Sequence, residues 1–188
     1  MARLSVFNTV SLDGYFTDAA NDMSWAHASQ DDAEWNAFVL GNASGTSTLV
    51  FGRVTYEMMA GYWPSAMAAK AMPELAGRMN SSQKIVFSNG LNSTSWMNTT
   101  LISGDAVKEM HRLKNGPGEN MTILGSGKLI ASFAQAGLID SYQLVVKPVV
   151  LGQGRTIFEG VVGRPTLKPI ASRTFDNGNV VLNYETVP

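Results

Sequence analysis

"TILGSGKLIASF", residues 122–133, decides how this chain is read. Met121 to Leu124 is apolar and short enough for a buried strand, two glycines flank Ser126, and a helix-like run begins at once after Lys128. The glycines let the backbone turn sharply and approach a ligand closely. The amides that open the helix, from Ser126 to Ile130, then point outward with the positive end of its dipole behind them. An anion fits there. Two better-known anion motifs do not match the letters. A P-loop needs glycine where Thr122 stands and a Ser/Thr hydroxyl where Leu129 stands. The G-x-G-x-x-G fingerprint needs its third glycine at Ile130. The competing reading is a plain strand-to-helix turn with a surface lysine.

Around this stretch, composition narrows the field. A length of 188 residues suits one domain spanning 1–188, with enough chain to bury a core without disulfide or metal help. With 45% apolar and 15% charged residues, the balance is that of a folded globule, not of a disordered chain. The net charge of −1 and the lack of any basic run argue against nucleic acid as a partner. No apolar run reaches the roughly 20 residues of a membrane span, and "MARLSVFNTVSLDG" lacks the apolar core of a signal peptide. The absence of cysteine excludes thiolate metal sites and thiol nucleophiles and agrees with a cytoplasmic location. His27 and His111 are isolated, so no metal site is expected, and His111 reads as a solvated helix residue.

The chain alternates strands with helices. Strands are expected over 3–12, ended by Asp13-Gly14, and over 47–52, 84–88, 95–103, 121–124 and 140–150. Helices are expected over 31–43, 53–63, 67–79 and 105–115, and after Ser126, with a loop from Gly14 to about Gln30. The tail from Thr166 makes a hairpin about Asn177-Gly178. The fold class is therefore α/β: a mixed, mostly parallel central sheet with flanking helices and a C-terminal antiparallel hairpin.

"TLVFGRVTYE", residues 48–57, repeats the arrangement of the opening stretch: a strand ends at Gly52, and a cation, Arg53, opens a helix. In an open α/β sheet both sites can face one crevice at the carboxyl ends of the strands. A guanidinium there suits a terminal phosphate, because its fork engages two oxygens at once. Standing alone, Arg53 would read as a surface residue; beside the second site, a dinucleotide with an additional phosphate explains it better.

"SLDGYF" (11–16), "LVFGRVTYE" (49–57), "KIVFS" (84–88), "ILGSGKL" (123–129) and "PVVLGQGRTIF" (148–158) follow in an order and spacing that resemble the dihydrofolate reductase-like superfamily. The likeness is greatest to the branch of the riboflavin-biosynthesis pyrimidine reductase domain, and runs from about Leu4 to Phe158. It implies a three-layer fold and NADPH as cofactor. By position it implies that Gly52, Arg53, Val54 and Thr55 hold the adenosine side, Arg53 on the 2′-phosphate, with Phe87 and Ser88 beside the adenine ribose. Gly125, Ser126, Gly127, Lys128 and Leu129 would cradle the pyrophosphate. Thr9, Val10 and Phe16 would line the nicotinamide end. On this view a side chain at Gly125 or Gly127 fills the space where backbone meets pyrophosphate.

The resemblance also has gaps. Folate reductases place a carboxylic acid on the first helix, and in "SWAHASQDDAEWNAF" none falls unambiguously in register. Asp31, Asp32 and Glu34 are candidates, although Ser29 with Asp32 also reads as a helix cap. Asp13 is a candidate for catalysis or substrate contact, against its reading as a turn former. Trp25, Tyr15, Lys147 and Arg155 are further candidates around the substrate, against packing for the rings and solvation for Arg155. No zinc deaminase signature is present, so a free-standing reductase domain is expected. The expected function is an NADPH-dependent reductase passing hydride to a heterocyclic or ribosylamine substrate, as 5-amino-6-(5-phosphoribosylamino)uracil reductase does. Dihydrofolate reduction, reduction of another small carbonyl or imine, and a non-catalytic NADPH-binding module are the alternatives. A homodimer is expected, from an edge strand in the terminal hairpin with Val180, Leu182 and Tyr184 on one apolar face.

Overall fold

In the computed structural model, which describes residues 1–26, 32–45 and 47–187, the strand-forming runs assemble into one eight-stranded sheet. Its strands are β1 (Leu4–Ser11), β3 (Thr48–Gly52), β4 (Lys84–Phe87), β5 (Thr99–Ile102), β6 (Met121–Leu124), β7 (Ser141–Lys147), β9 (Leu167–Thr174) and β10 (Val180–Thr186). They lie in the order β5-β4-β3-β6-β1-β7-β10-β9. All neighbours are parallel except around β10, which runs antiparallel to both β7 and β9. A small second sheet pairs β2 (Tyr15–Thr17) with β8 (Arg155–Thr156), inside what the sequence alone reads as loop.

Alternation along β1 assigns the two faces of the sheet. Leu4, Val6, Asn8 and Val10 point to one side, all at most 7% exposed, and Ser5, Phe7 and Thr9 to the other. The first side is packed shut by α5 (Ala106–Asn115) and α6 (Gly127–Gln135), through Met110, Ile130 and Phe133. The other side carries α1 (Ala33–Asn42), α2 (Arg53–Tyr62), α3 (Ala66–Ala71) and α4 (Pro73–Ser81). Beneath α2 and α4 it is filled by Phe51, Tyr56, Trp63 and Trp96. Beneath α1 it is filled by Trp35, Val145, Phe175 and Val181, with Trp35 edge-on to Phe175 at 5.0 Å.

Four expectations about elements are corrected. The run 67–79 is two helices, not one, because Pro73 has no amide to donate and instead takes the first position of α4. The strand expected over 95–103 is reduced to β5, because the Ser95 and Trp96 amides donate to the Tyr56 hydroxyl at 3.0 Å rather than to a ladder. Pro148 stops β7 at Lys147. Finally, β10 is an inner strand, so the sheet edge at the C-terminal end is β9, most of whose residues are exposed.

Buried on the first residue of β4 is a lysine with no acidic partner among the described residues. Lys84 is 1% exposed, and its ammonium donates to the carbonyls of Met79 (2.8 Å), Asn80 (3.1 Å) and Ser82 (2.6 Å). The same group lies 4.4 Å from the centre of the Trp96 ring. It closes the carboxyl end of α4, where unpaired carbonyls and the negative end of the dipole accumulate.

Candidate functional site

The crevice lies where β3, β6 and β1 end side by side, and it is built around one serine. Gly125 (φ +57°) and Ser126 (φ +58°) are both left-handed, a geometry glycine takes at little cost and serine only when held. Ser126 is held three times. Its Oγ accepts from the Gly52 amide at 2.9 Å and donates to the Leu124 carbonyl at 3.0 Å, and its own amide donates to Thr55 Oγ1 at 3.1 Å. The β3–α2 turn and the β6–α6 turn are thereby latched together.

Because Ser126 spends its hydroxyl on that latch, α6 starts without a side-chain cap. The Leu129 and Ile130 amides return to the Ser126 carbonyl at 2.9 and 3.1 Å. Gly127 and Lys128 are the positions whose amides a helix leaves without an internal acceptor. Gly52 likewise precedes α2 with no side-chain cap. Two helix amino ends thus meet at one point, a donor set suited to a diphosphate.

The glycines serve packing as well as turning. A Cβ at Gly125 would stand 2.9 Å from Thr55 Cγ2, and one at Gly127 would stand 2.6 Å from the Phe16 ring. At both positions a side chain would meet protein, whatever it does to a ligand. Leu129 lies against Gly52, 3.6 Å from where a Cβ would be. Arg53 is half exposed and pairs with Glu57 at 2.8 Å, one turn along α2, while Val54 beside it is exposed. Phe87 faces the packed side, edge-on to Phe133 at 5.7 Å. The Ser88 hydroxyl accepts from the Gly90 and Leu91 amides, both at 3.1 Å. Val10 is buried, and Thr9 reaches the opposite face.

On that opposite face, between α1 and α2, lies a cavity of about 240 Å³. Met58 and Met59 of α2, with Trp63 just beyond its end, line one wall and Val39 of α1 the other, with Leu49 and Met79 at the back. Asn8, Thr9, Thr55 and Gly125 line the end it shares with the latched turns. Among the described residues, no side chain lining it carries a charge.

The candidate acids lie elsewhere. Asp32 caps α1, accepting from the Trp35 amide at 2.9 Å, and also accepts from Asn177 in the hairpin turn. Glu34 pairs with Arg173 of β9 at 2.8 Å. Asp31, like His27, falls outside the described residues. Asp13 accepts from the Ser11 hydroxyl (2.6 Å) and from the Leu151 and Gly152 amides (3.1 and 2.7 Å). These bonds, that from Ser11 foremost, lower its pKa to about 2. Asp13 therefore ties the turn after β1 to the 151–152 loop.

Among the remaining candidates, Lys147 is buried with its ammonium 5.8 Å from the centre of the Trp35 ring, and burial pulls it below the usual lysine range. Arg155 stands on the packed side, 5.8 Å from the Phe16 ring and 3.7 Å from Glu159, sharing a depression with Gly127 and Lys128. Trp25 donates its Nε1–H to the Asp22 carbonyl, and Tyr15 sits in β2, both away from the cavity wall. His111 is exposed on α5.

Sequence reasoning missed Asn8. It is 3% exposed in an otherwise apolar row, with its Nδ2 3.5 Å from the Gly125 carbonyl and its Oδ1 accepting from the Thr9 amide at 2.9 Å. A lone amide among Leu4, Val6 and Val10 was its signal. The cavity wall of α2 was missed too, since methionines at helical spacing read first as core.

The comparisons with known proteins agree with this architecture. Over 182 residues, 97% of this chain and 94% of the relative, the sequence is 29% identical to protein YyaP of Bacillus subtilis (strain 168). The fold matches a candidate riboflavin biosynthesis protein from Shewanella sp. PV-4 with a TM-score of 0.77 at 23% identity, over the whole of both chains. It matches the deaminase/5-amino-6-(5-phosphoribosylamino)uracil reductase of Thermotoga maritima at 0.70 and 14% identity, over 99% of this chain and 57% of that one. Enterococcus faecalis dihydrofolate reductase, solved with NADP(H), matches at 0.61 and 12% identity, over 99% and 97% of the two chains. These likenesses show a dihydrofolate reductase-like fold. The model of the RibD C-terminal domain family matches residues 2–181, so the chain belongs to that family.

Proposed function

We propose that the chain is an NADPH-dependent oxidoreductase that reduces a small heterocyclic, carbonyl or imine substrate in the cavity between α1 and α2. The observation that carries this reading is the Ser126 latch, which sets the amino ends of α2 and α6 against each other at the carboxyl ends of β3 and β6. That donor set fits a dinucleotide. The Gly127 and Lys128 amides, with the Lys128 ammonium, would hold the diphosphate, and Arg53 would take the 2′-phosphate in exchange for Glu57. Releasing an exposed i,i+4 pair costs about 0.3–0.5 kcal/mol, less than a charge-assisted contact returns. Phe87 and Ser88 would border the adenosine, and Thr9, Val10 and Phe16 the nicotinamide, whose bound form supplies hydride.

What the chain itself contributes is placement and dryness. Thr9, Asn8 and Gly125 border both the latched turns and the cavity, so two ligands held there abut. The apolar walls keep bulk water from the meeting point. Calorimetric titration tests the reading. NADPH is expected to bind more tightly than NADH, and Arg53→Ala to shrink the gap by roughly tenfold or more, about 1.5–3 kcal/mol. Equal binding of the two by the native protein removes Arg53 from the site, and binding of neither removes the function.

The chain is further proposed to form a homodimer through the exposed β9 edge, where Ile170 is 52% exposed. Light scattering should then report about twice the 20.2 kDa chain mass.

A further inference from the structure

We infer that the cavity between α1 and α2 takes an uncharged, flat, predominantly apolar ligand, not a phosphorylated sugar amine. The inference rests on the proposed function only in taking this cavity as the seat of the reactant. Methionine, leucine, valine and tryptophan side chains make its walls, and its polar side chains are neutral amides and hydroxyls, with Asn8, Thr9 and Thr55 at the end shared with the latched turns. A phosphate carries close to two negative charges, and removing it from water requires cations or a fan of amides to replace the water.

The cations nearest the cavity are committed elsewhere. Arg78, in the adjoining depression that shares Ala43, Gly45, Ser47 and Ser82 with it, pairs with Glu74 at 2.8 Å and donates to the Leu40 carbonyl. Lys84 is clamped by backbone carbonyls. Lys147, on the same sheet face, is buried over Trp35. Arg155 and Lys128 border a different depression, on the far side of the sheet. Arg53 lies half exposed beside Glu57 and is not part of the wall. Residues 27–31, 46 and 188, outside the described structure, include no lysine or arginine. The open amides of α6 belong to the turn at Gly127, which the wall does not include. A hydrophobic slot with a few neutral hydrogen-bonding groups at one end selects a small planar molecule whose polar atoms sit on one edge. Met58 and Met59 suit such a slot, since unbranched thioethers adapt to a ring face.

The test uses the intact protein and two probes: menadione, an uncharged bicyclic quinone, and 5-amino-6-(5-phosphoribosylamino)uracil. With no cysteine in the chain, menadione can form no thiol adduct. Each is titrated by calorimetry and by tryptophan fluorescence, with and without NADPH. Menadione is expected to bind at least roughly tenfold more tightly than the phosphorylated compound. Its quenching should weaken in Trp63→Phe, whose replaced ring lies on the wall, while the calorimetric binding persists. Met58→Arg, at a half-exposed position, should reverse the preference. Equal or tighter binding of the phosphorylated compound by the native protein overturns the inference, as does an absence of menadione binding or quenching indifferent to Trp63. The NADPH titration is read separately: its failure removes the proposed reductase and leaves the menadione result standing.

Discussion

The two faces of the central sheet are made from the same strands, yet one is closed and the other is not. Beneath α5 and α6, Leu4, Val6, Ile123, Ile130 and Phe133 are all at most 1% exposed. Beneath α1 and α2, the same strands turn Phe7, Thr9, Leu49 and Thr122 toward a space that the helices bridge without filling. Both faces are apolar, so hydrophobicity does not separate them. Packing does. A core at crystal-like density leaves no room for a guest, and a gap of about 240 Å³ persists only where the surrounding side chains forgo contacts with one another. The closed face therefore holds the fold, and the open face is where a ligand can recover what the gap leaves unmade.

Truncation breaks the comparison most sharply. Phe133→Ala is expected to cost about 3–5 kcal/mol in urea unfolding. Met58→Ala, on the open face and 51% exposed, should stay within about 0.5 kcal/mol of wild type. Comparable losses at the two positions would mean that the open face contributes to stability as much as the closed one does.

A smaller effect is expected at the border between the faces. Gly127→Val would drive a side chain into the Phe16 ring and should lower stability by about 1–3 kcal/mol, besides blocking NADPH in titration. Undiminished binding in a folded variant would return "GSGKL" to an ordinary turn.

The smallest effect lies outside both faces. Asp13 has a pKa of about 2 when folded against 3.8 when free. Its bonds thus favour the fold above about pH 4, and that contribution fades as pH falls toward 2. The urea midpoint of Asp13→Asn should change less between pH 5 and pH 2 than that of the native protein. Identical profiles would show that the tie to Leu151 and Gly152 does not depend on charge.

The closed face was the more legible in the sequence. Alternation in β1, the hairpin turn at Asn177-Gly178 and the glycine-ended strands β3 and β6 follow local rules, and all are present. Trp96 was not legible as a buried loop residue, because its place depends on Tyr56, forty positions away. The acids near α1 were ambiguous for a similar reason. Nothing in "DDAE" announces that Asp32 meets Asn177 and Glu34 meets Arg173, contacts that exist only once the hairpin has folded back. The cavity was the least legible, since a void is a property of several elements together.

The lysine at the start of β4 has a mechanical consequence for that void. Met79 is at once part of the cavity's back wall and, through its carbonyl, one of the three groups clamped by the Lys84 ammonium. The clamp sits at the amino ends of the strands, at the far end of the sheet from the latched turns. The back wall is bolted to the sheet from behind, while Met58 at the mouth hangs on a half-exposed side chain. A guest of awkward shape therefore meets a fixed surface at Met79 and an unbranched, half-exposed side chain at Met58, so its fit is adjusted by the Met58 rotamer and not by the back wall.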